Sequence, residues 1–319
     1  MADLREELQM GRLMSGPTAS YLDGDARGRL HLQHGPIDLV IGVDGAVSLE
    51  LEACYRQHAY ALAHRRFRTI LRELVEELPL LKAPASAGSP EPEGATARRM
   101  MAAVRPYAAH CFITPMAAVA GAVAEEVLAA MLAGFTPDNR PRRIHVNNGG
   151  DIALHLDAGA DYRIGIASED GADLGAFAVT AASPARGIAT SGRGGRSLSM
   201  GIADSVTVLA DSAAAADAAA TVIGNAVDLD GHPSVTRMPA CMVKDDSDLG
   251  DHLVVTGCGP LHAAEITQAL ERGVAAAQRL KSQKLIHRAA LFLKDQGRIV
   301  SDDGADHHHP QLRETRRYA

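Results

Sequence analysis

The stretch RRIHVNNGGDIALHL, residues Arg142–Leu156, points to the fold class because it holds two strand-like runs separated by a glycine pair. Apolar residues alternate with polar ones on both sides of Gly149 and Gly150, as in strands with one buried face. One interpretation of the pair is a tight hairpin turn of the Asn-Gly type. The other is a ligand site, in which glycines without Cβ let a ligand approach the backbone and Asp151 holds its polar edge.

Strands are predicted on both sides of this turn and beyond it. The runs with apolar alternation are Ile144–Asn148, Ile152–Leu156, Tyr162–Ala167, Ala176–Thr180, Gly187–Thr190 and Ser205–Ala210. They are typical of a mostly antiparallel meander. Helices are predicted at Ala213–Val227 and from Leu261 to about Leu285, and residues 290–304 (ALFLKDQGRIVSDDG) read as a last hairpin. Strands and helices grouped in this way favour an α+β layered fold, with helices covering a sheet, over a doubly wound parallel sheet.

The first part of the chain has the same alternation of patterns. RLHLQHGPIDLVIGVDG, residues 29–45, predicts a hairpin around Gly35 and Pro36, and a long amphipathic helix capped by Ser48 follows it. Residues 82–97 are rich in Pro, Ala, Ser and Gly, which predicts a flexible insertion without regular structure. A short helix follows near Arg99, and Pro115 opens a helix of small residues. We expect one α+β domain over residues 1–300 and a polar, mobile tail over residues 301–319.

The composition limits the classes of partner and compartment. The chain has 319 residues and a net charge of −7, which gives nucleic acid no electrostatic reason to bind. Its four cysteines show no Cys-x-x-Cys spacing, as expected for reduced thiols in the cytosol. The first ten residues have three acidic side chains, unlike a signal peptide. The most apolar segment, from Met116, is interrupted by Glu125 and Glu126 and is short for a membrane span. We therefore expect a cytoplasmic protein that binds neither nucleic acid nor a membrane.

A glycine-rich loop follows the predicted strand that ends in GIATS. In GIATSGRGGRS, residues 187–197, Thr190, Ser191 and Gly192 lead into a loop with Arg193 and Arg196. Backbone amides and two guanidinium groups in such a loop can hold a phosphate or pyrophosphate. A surface loop kept soluble by its arginines is the alternative interpretation.

The alanine-rich helix that follows has two oxygen-bearing side chains at helical spacing. Asp217 and Thr221 are four residues apart and therefore project from one face. A carboxylate and a hydroxyl suit a hard cation such as Mg²⁺, if carbonyls, water or ligand phosphates supply the remaining oxygens. A solvated aspartate near a helix start is the alternative.

Two further patterns carry less chemistry. VTGCGPLHAAEITQAL, residues 255–270, reads as a strand, a glycine-rich turn and an ordinary helix N-terminus. The histidines near these features, among them His110, His145 and His155, form no His-x-x-x-His or Ser/His/Asp pattern. A nucleophilic triad is therefore not predicted.

Three of these features, in this order, resemble the ApbE-type FAD:protein FMN transferases and the superfamily around them. The family's N-A-G-G-D-I segment matches Asn147–Ile152, with Asn148 in place of Ala. Its A-T-S-G segment matches Ala189–Gly192, and its S-V-T-V strand matches Ser205–Val208. Its A-D-A-L-x-T helix is matched by Ala216, Asp217, Ala218 and Thr221. The matched region extends from about Pro115 to Val227.

The resemblance implies a T-fold-like architecture and a flavin-nucleotide pocket. It implies cofactor contacts from one set of residues, namely Asn148, Gly149, Gly150, Asp151, Thr190, Ser191, Gly192 and Arg193. It also implies that Asp217 and Thr221 bind Mg²⁺. The family's H-I-I-D-P-x-T-G block, however, is replaced here by RGGRSLSMGIAD, residues 193–204, which has no histidine and one carboxylate, Asp204.

These observations lead to two main hypotheses. The first is an ApbE-like protein of a prokaryotic branch of this superfamily that binds FAD, FMN or a related phosphorylated heterocycle with Mg²⁺ and transfers or cleaves at the pyrophosphate. The second is a non-catalytic protein that holds or delivers a flavin or pterin-like cofactor, since the histidine block is missing. A third hypothesis is a purely structural homo-oligomer, in which the small-residue helix from Met116 packs on a neighbouring chain.

Overall fold

The computed structural model describes residues 16–22, 28–46, 48–167, 173–195 and 197–301. Its strands are β1 Thr18–Tyr21, β2 Leu30–His34, β3 Ile37–Asp44, β4 Arg143–Asn148, β5 Asp151–Leu156, β6 Asp161–Ala167, β7 Asp173–Thr180, β8 Gly187–Ser191, β9 Ser205–Ala210, β10 Val235–Pro239, β11 Leu253–Cys258, β12 Arg288–Leu293 and β13 Gln296–Val300. Its helices are α1 Leu49–Glu76, α2 Leu78–Lys82, α3 Ala95–Val104, a 3₁₀ turn Pro115–Ala118 that runs into α4 Val119–Leu132, α5 Ala213–Ala226, α6 Ala240–Val243 and α7 Ala263–Ser282. The predicted α+β class is confirmed.

The chain forms two compact units. Unit 1 comprises the described residues up to Asp161 together with Thr180–Ile188 and Ser212–Ala214. Unit 2 comprises Tyr162–Val179, Ala189–Asp211 and the described residues from Ala215 onward. The two parts of the GIATSG motif are thus divided, since Gly187 and Ile188 belong to unit 1.

In unit 1, β1 to β5 pair antiparallel in chain order, and Ile188 pairs with Ile152 of β5. The alternation read from the sequence is visible as burial, because Leu32, Leu39 and Ile41 are fully buried. Gly42 faces His145 across β3 and β4. A Cβ on Gly42 would lie 2.2 Å from the His145 ring, so glycine makes room for that imidazole.

The helices of unit 1 are joined by charged side chains as well as by apolar packing. Ser48 caps α1 as predicted, since its Oγ accepts a hydrogen bond from the amide of Leu51 at 3.2 Å. Arg66 of α1 donates to Glu126 of α4 at 2.8 Å, and Arg99 of α3 donates to the same carboxylate at 2.9 Å. Glu126 is almost fully buried, so the two arginines pair a charge that would be costly to bury alone.

Helix α4 with its 3₁₀ turn, Pro115–Leu132, is the one helix among the described residues that is long and apolar enough to cross a membrane by length and composition. Half of that stretch is buried inside the protein, and α4 packs on β4 and β5. Its Gly121 lies against the backbone of Ala213, where an added Cβ would be 2.2 Å from the carbonyl oxygen. Gly121 of α4 therefore packs against backbone of the same chain.

The low-complexity segment joins α2 to α3 and has no helix or strand between Lys82 and Ala95. Ala85 is buried and its amide donates to the carbonyl of Ile113 at 2.8 Å. The Glu77 carboxylate accepts from the amides of Glu93 and Gly94 at 2.8 and 2.7 Å. Both ends of the segment are thus attached to unit 1.

In unit 2, the end of β8 is followed by β9, β12 and β13 in sheet order. Strand β12 pairs antiparallel with β9 and β13, and α7 packs on β12 and β13. Strands β6 and β7 form a separate two-stranded sheet, whereas the sequence pattern predicted one meander. Strand β10 and helix α6 were not predicted, and β10 pairs with β11 in a further two-stranded sheet.

Candidate functional site

The glycine pair of the opening stretch is a hairpin turn. Asn148 pairs with Asp151 across it, which leaves Gly149 and Gly150 as the two loop residues, at φ 65° and 114°. Positive φ at both positions is what a type I′ hairpin needs. The Asn147 side chain accepts a hydrogen bond from the amide of Gly150 at 2.8 Å. The turn interpretation is confirmed, and a ligand role for the same glycines stays a prediction.

Asn148 has a structural task that the sequence did not indicate. Its Nδ2 donates to the carbonyl of Ala120 in α4 at 3.1 Å, and its Oδ1 accepts from the amide of Asp38 at 3.4 Å. The side chain is 5% exposed and Asp151 is 8% exposed. Both lie in unit 1, where Asn148 joins the hairpin to a helix and to β3. Contact of either side chain with a cofactor stays a prediction.

The two hydroxyl residues of the A-T-S-G match lie on opposite faces of β8, because successive strand side chains alternate. Thr190 is exposed and its Oγ1 lies 2.9 Å from Oγ1 of Thr207 on β9. Ser191 lies on the side of α5, where a Cβ on Gly224 would be 4.0 Å from its Oγ. Thr190 and Ser191 therefore cannot both line the side of the sheet that α5 covers.

The backbone amides of the glycine-rich loop donate hydrogen bonds within the protein. The amide of Arg193 donates to Ala203 at 2.8 Å, that of Gly194 to Asp204 at 3.3 Å and that of Gly195 to Gly192 at 3.2 Å. Gly192 has φ 146°, and a Cβ there would be 2.5 Å from the carbonyl oxygen of Asp204. These three amides already have acceptors in the protein, so they do not form the phosphate cradle that the sequence suggested. Arg196 lies outside the described residues.

The Arg193 side chain is held by Asp204. Its Nη2 donates to Oδ1 of Asp204 at 2.6 Å, and Oδ2 of the same carboxylate accepts from the backbone amide of Lys294. The Nε of Arg193 is buried and has no acceptor among the residues that the structure describes. A buried donor without a partner is costly, so this edge of the guanidinium is suited to an acceptor oxygen supplied by a ligand.

Asp217 and Thr221 both lie half-buried on α5, one turn apart. Asn225, one turn further along this face, accepts from the amide of Met200 at 3.1 Å. Within the described ranges there is no group of three or more His, Cys, Asp or Glu side chains that could hold a metal ion. The two α5 side chains alone are thus an incomplete ligand set, which needs oxygens from water, carbonyls or a phosphate.

The segment that stands where the family has its histidine block is built into unit 2. The Ser199 hydroxyl donates to the carbonyl of Gly201 at 2.9 Å, and the Ser199 carbonyl accepts from the amide of Val255 at 2.8 Å. Gly201 lies so close to α5 that a Cβ would be 2.1 Å from the carbonyl oxygen of Gly224. Ile202 and Ala203 are fully buried. Residues 199–203 thus make structural contacts within unit 2, and Asp204, the one carboxylate of the segment, is paired with Arg193.

The N-terminus of α7 already carries an acidic partner. One carboxylate oxygen of Glu265 accepts from the amide of His262 at 2.7 Å, and the other lies 3.0 Å from Nε2 of His232. These bonds hold the pKa of the Glu265 carboxyl below its usual value. An external anion would meet this negative charge, so the prediction of an ordinary helix N-terminus fits the geometry.

Comparison with known proteins gives the family. The family model described as AbpE bacteria matches residues 19–300. The chain belongs to this family. Membership confirms the ApbE-like resemblance that the ordered motifs indicated.

Curated relatives match over part of the chain. A UPF0280 protein of Methanococcus vannielii is 41% identical over 118 residues, which are 35% of this chain and 45% of the relative. A UPF0280 protein of Methanoregula boonei is 41% identical over 130 residues, which are 39% of this chain and 51% of the relative. The chain thus spans about half the length of the curated relatives that it matches.

Two solved structures align along most of the chain. The apo flavinyl transferase ApbE of Pseudomonas stutzeri is 16% identical, with 89% of this chain and 92% of that chain covered and a TM-score of 0.33. The flavin transferase ApbE of Vibrio cholerae is also 16% identical, with 90% and 97% covered and a TM-score of 0.33. Similarity at this level carries no argument about the site.

Proposed function

We propose that the protein binds a flavin nucleotide, FAD or FMN, or a related phosphorylated heterocycle, together with Mg²⁺. The observation that carries the proposal lies in unit 2. Ser191 at the end of β8 faces α5 beside Gly224, less than one turn after Thr221. Two of the matched family motifs, A-T-S-G and the A-D-A-L-x-T helix, thus meet in one region. Membership of the ApbE-like family supports flavin as the ligand.

The donor set fits Mg²⁺ that arrives with a phosphate. Asp217 offers a carboxylate and Thr221 a hydroxyl, both hard oxygen donors. Mg²⁺ commonly keeps several waters and binds through one or two carboxylates plus substrate phosphates. Since the described ranges hold no group of three or more His, Cys, Asp or Glu side chains that could bind a metal ion, a site shared between protein oxygens and a ligand phosphate fits these two donors better than a closed protein site.

Arg193 supports the phosphorylated part of the ligand. Its guanidinium is oriented by Asp204 at 2.6 Å, and its buried Nε lacks an acceptor among the described residues. A phosphate oxygen on Nε would supply that acceptor through a charge-assisted hydrogen bond. A bond of this kind contributes about 1.5–3 kcal/mol, whereas a buried unpaired donor costs about 1–3 kcal/mol.

If the protein acts on its ligand, transfer or cleavage at a pyrophosphate is the reaction that these groups support. Bound Mg²⁺ would withdraw charge from the phosphoryl oxygens. Arg193 would stabilise the negative charge that develops on the same group. Asp217 and Thr221 would orient the ion, and Asp204 would keep the guanidinium in place.

A second candidate is a non-catalytic protein that holds a flavin or pterin-like cofactor and delivers it to partners. The observation in its favour is segment 199–203, which lacks a histidine and is committed to contacts with α5 and β11. Incubation with FAD and Mg²⁺, followed by mass spectrometry for AMP, FMN or flavinylated protein, separates the two candidates. Turnover excludes the non-catalytic one.

The binding proposal is tested by calorimetric titration of FAD with and without Mg²⁺. We expect Mg²⁺ to strengthen FAD binding. We expect Asp217→Asn to raise the Kd for FAD in the presence of Mg²⁺ about tenfold, which corresponds to about 1.4 kcal/mol. Asp230→Asn is the matched control, because Asp230 is a highly exposed carboxylate elsewhere in unit 2, paired with Arg272. The absence of binding heat, or equal affinities for wild type and Asp217→Asn, would refute the proposal.

A further inference from the structure

Lys294 adopts a backbone conformation that lysine rarely takes. It occupies the two-residue turn between Leu293 of β12 and Gln296 of β13 with φ 55°. Hairpin turns with positive φ favour Asn and Gly, and other side chains are strained there. Among the described residues the other non-glycine with positive φ is Lys284, at 61°, just after α7, where helices commonly end in this conformation.

The strained turn is attached to the groups around Arg193. The backbone amide of Lys294 donates to Oδ2 of Asp204, and Oδ1 of that carboxylate holds Nη2 of Arg193. The Lys294 side chain is exposed and its Nζ donates to the carbonyl of Cys258 at 3.0 Å. One carboxylate therefore fixes a guanidinium on one side and the backbone of a lysine on the other. The three groups together carry a formal charge of +1.

We propose that Lys294 and Arg193 together form an anion site. The guanidinium and the ammonium are its two cations, and its ligand is a diphosphate. Non-glycine residues held in a strained backbone conformation cluster at ligand sites. Here the ammonium keeps two donor hydrogens beyond its bond to Cys258, and Arg193 keeps its Nε. Each cation can take oxygens of one phosphoryl group, Arg193 through a planar donor and Lys294 as a point charge.

Asp204 is the positioning residue in this arrangement. Its two oxygens are occupied by Arg193 and the Lys294 amide, so the carboxylate orients the guanidinium and fixes the backbone from which the Lys294 side chain extends. The inference rests on the proposed function, because it names the part of the flavin-nucleotide class that unit 2 recognises. FAD contains a diphosphate and FMN a single phosphate, so the site favours the dinucleotide.

The test replaces the strained lysine by residues that tolerate its backbone. For Lys294→Gly and Lys294→Asn we expect the melting temperature to rise by about 1–3 °C, because the strain is relieved. We expect the Kd for inorganic pyrophosphate, measured by calorimetry in EDTA, to weaken about tenfold. Lys284→Gly is the matched control, in which the melting temperature rises similarly and the Kd is unchanged.

The inference is overturned if pyrophosphate does not bind, if its Kd is unchanged in both Lys294 variants, or if Lys284→Gly weakens binding equally. A titration series with pyrophosphate, FAD and riboflavin separates this result from the fate of the proposed function. Lys294-dependent binding of pyrophosphate without binding of FAD supports the anion site and refutes flavin-nucleotide binding. FAD affinity that depends on Asp217 but not on Lys294 supports flavin-nucleotide binding and refutes the anion site.

Discussion

Gly121→Ala and Gly224→Ala should change stability in opposite directions, although both replace a glycine inside a helix by the best helix former. Helix propensity alone predicts that each substitution stabilises by about 0.8–1 kcal/mol. The surroundings differ. A Cβ at Gly121 would lie 2.2 Å from the carbonyl oxygen of Ala213 and 2.8 Å from the amide nitrogen of Ala214. A Cβ at Gly224 would meet side-chain atoms at 4.0 Å, an ordinary contact distance.

The clash at Gly121 involves backbone on the partner side, which cannot move away as a side chain can. Overpacking of this kind costs about 1–3 kcal/mol, and the helix-propensity gain offsets part of it. We expect Gly121→Ala to lower the free energy of unfolding by about 1–2 kcal/mol and Gly224→Ala to raise it by up to about 1 kcal/mol.

Guanidinium denaturation followed by circular dichroism measures both changes, since the midpoint shifts with stability when the slope is constant. Equal slopes for the two variants and the wild type are the required control. A stabilised Gly121→Ala variant would show that α4 does not approach Ala213 as closely as described, and the packing argument for unit 1 would be wrong.

Three further predictions concern charges and a cap in unit 1. Two hydrogen bonds from Arg66 hold the pKa of the Glu73 carboxyl below 4.5. Because the folded-state pKa is depressed, this stabilisation is present above pH 4.5 and is lost as the pH falls through the folded-state pKa. The urea midpoint of Glu73→Gln should therefore fall less steeply with acid than that of the wild type. Glu126→Gln should destabilise by about 2 kcal/mol in the same assay, because Arg66 and Arg99 lose their shared counter-charge. Ser48→Ala should cost about 1 kcal/mol, and Ser48→Asp should retain the cap; an unchanged midpoint in Ser48→Ala would contradict the capping role.

Local alternation was sufficient to predict most strands. Ser205–Ala210 was predicted with the bounds that β9 has, and Gly187–Thr190 ends one residue before β8 does. Strand β9 is buried at every residue after Ser205, and β8 is buried at its first three residues, so a short apolar run was enough to indicate them. Strand β10, Val235–Pro239, was missed because its residues are exposed or half-buried along its whole length, so no apolar period marks it.

The site was predictable only where the chemistry is local. The turn at Gly149 and the shared face of Asp217 and Thr221 follow from spacing. The occupation of the loop amides depends on Ala203 and Asp204, which a sequence pattern cannot place beside Arg193. The separation of Thr190 from Ser191 follows from strand alternation, a step that motif matching omits.

Lys294 was not predicted as a site residue, although the sequence contains a local sign of it. A Lys-Asp pair stands between two apolar runs where a two-residue hairpin favours Asn-Gly. An unfavoured residue at a turn position is the one local sign that something other than the turn has selected it. Its link to Asp204 is long-range and appears only in the structure.

The packing of α4 also sets an order of events during synthesis. The helix is complete at Leu132, but the backbone that covers Gly121 belongs to Ala213 and Ala214, about 80 residues later. At roughly 5–20 residues per second, the ribosome needs about 4–16 seconds to deliver that cover. For this interval an apolar helix, with Glu125 and Glu126 as its only acidic residues, leaves the exit tunnel before its full packing partner exists. We expect the nascent chain to expose this apolar helix until Ala213 and Ala214 are synthesised, and a ribosome stalled between residues 132 and 213 to expose it for longest.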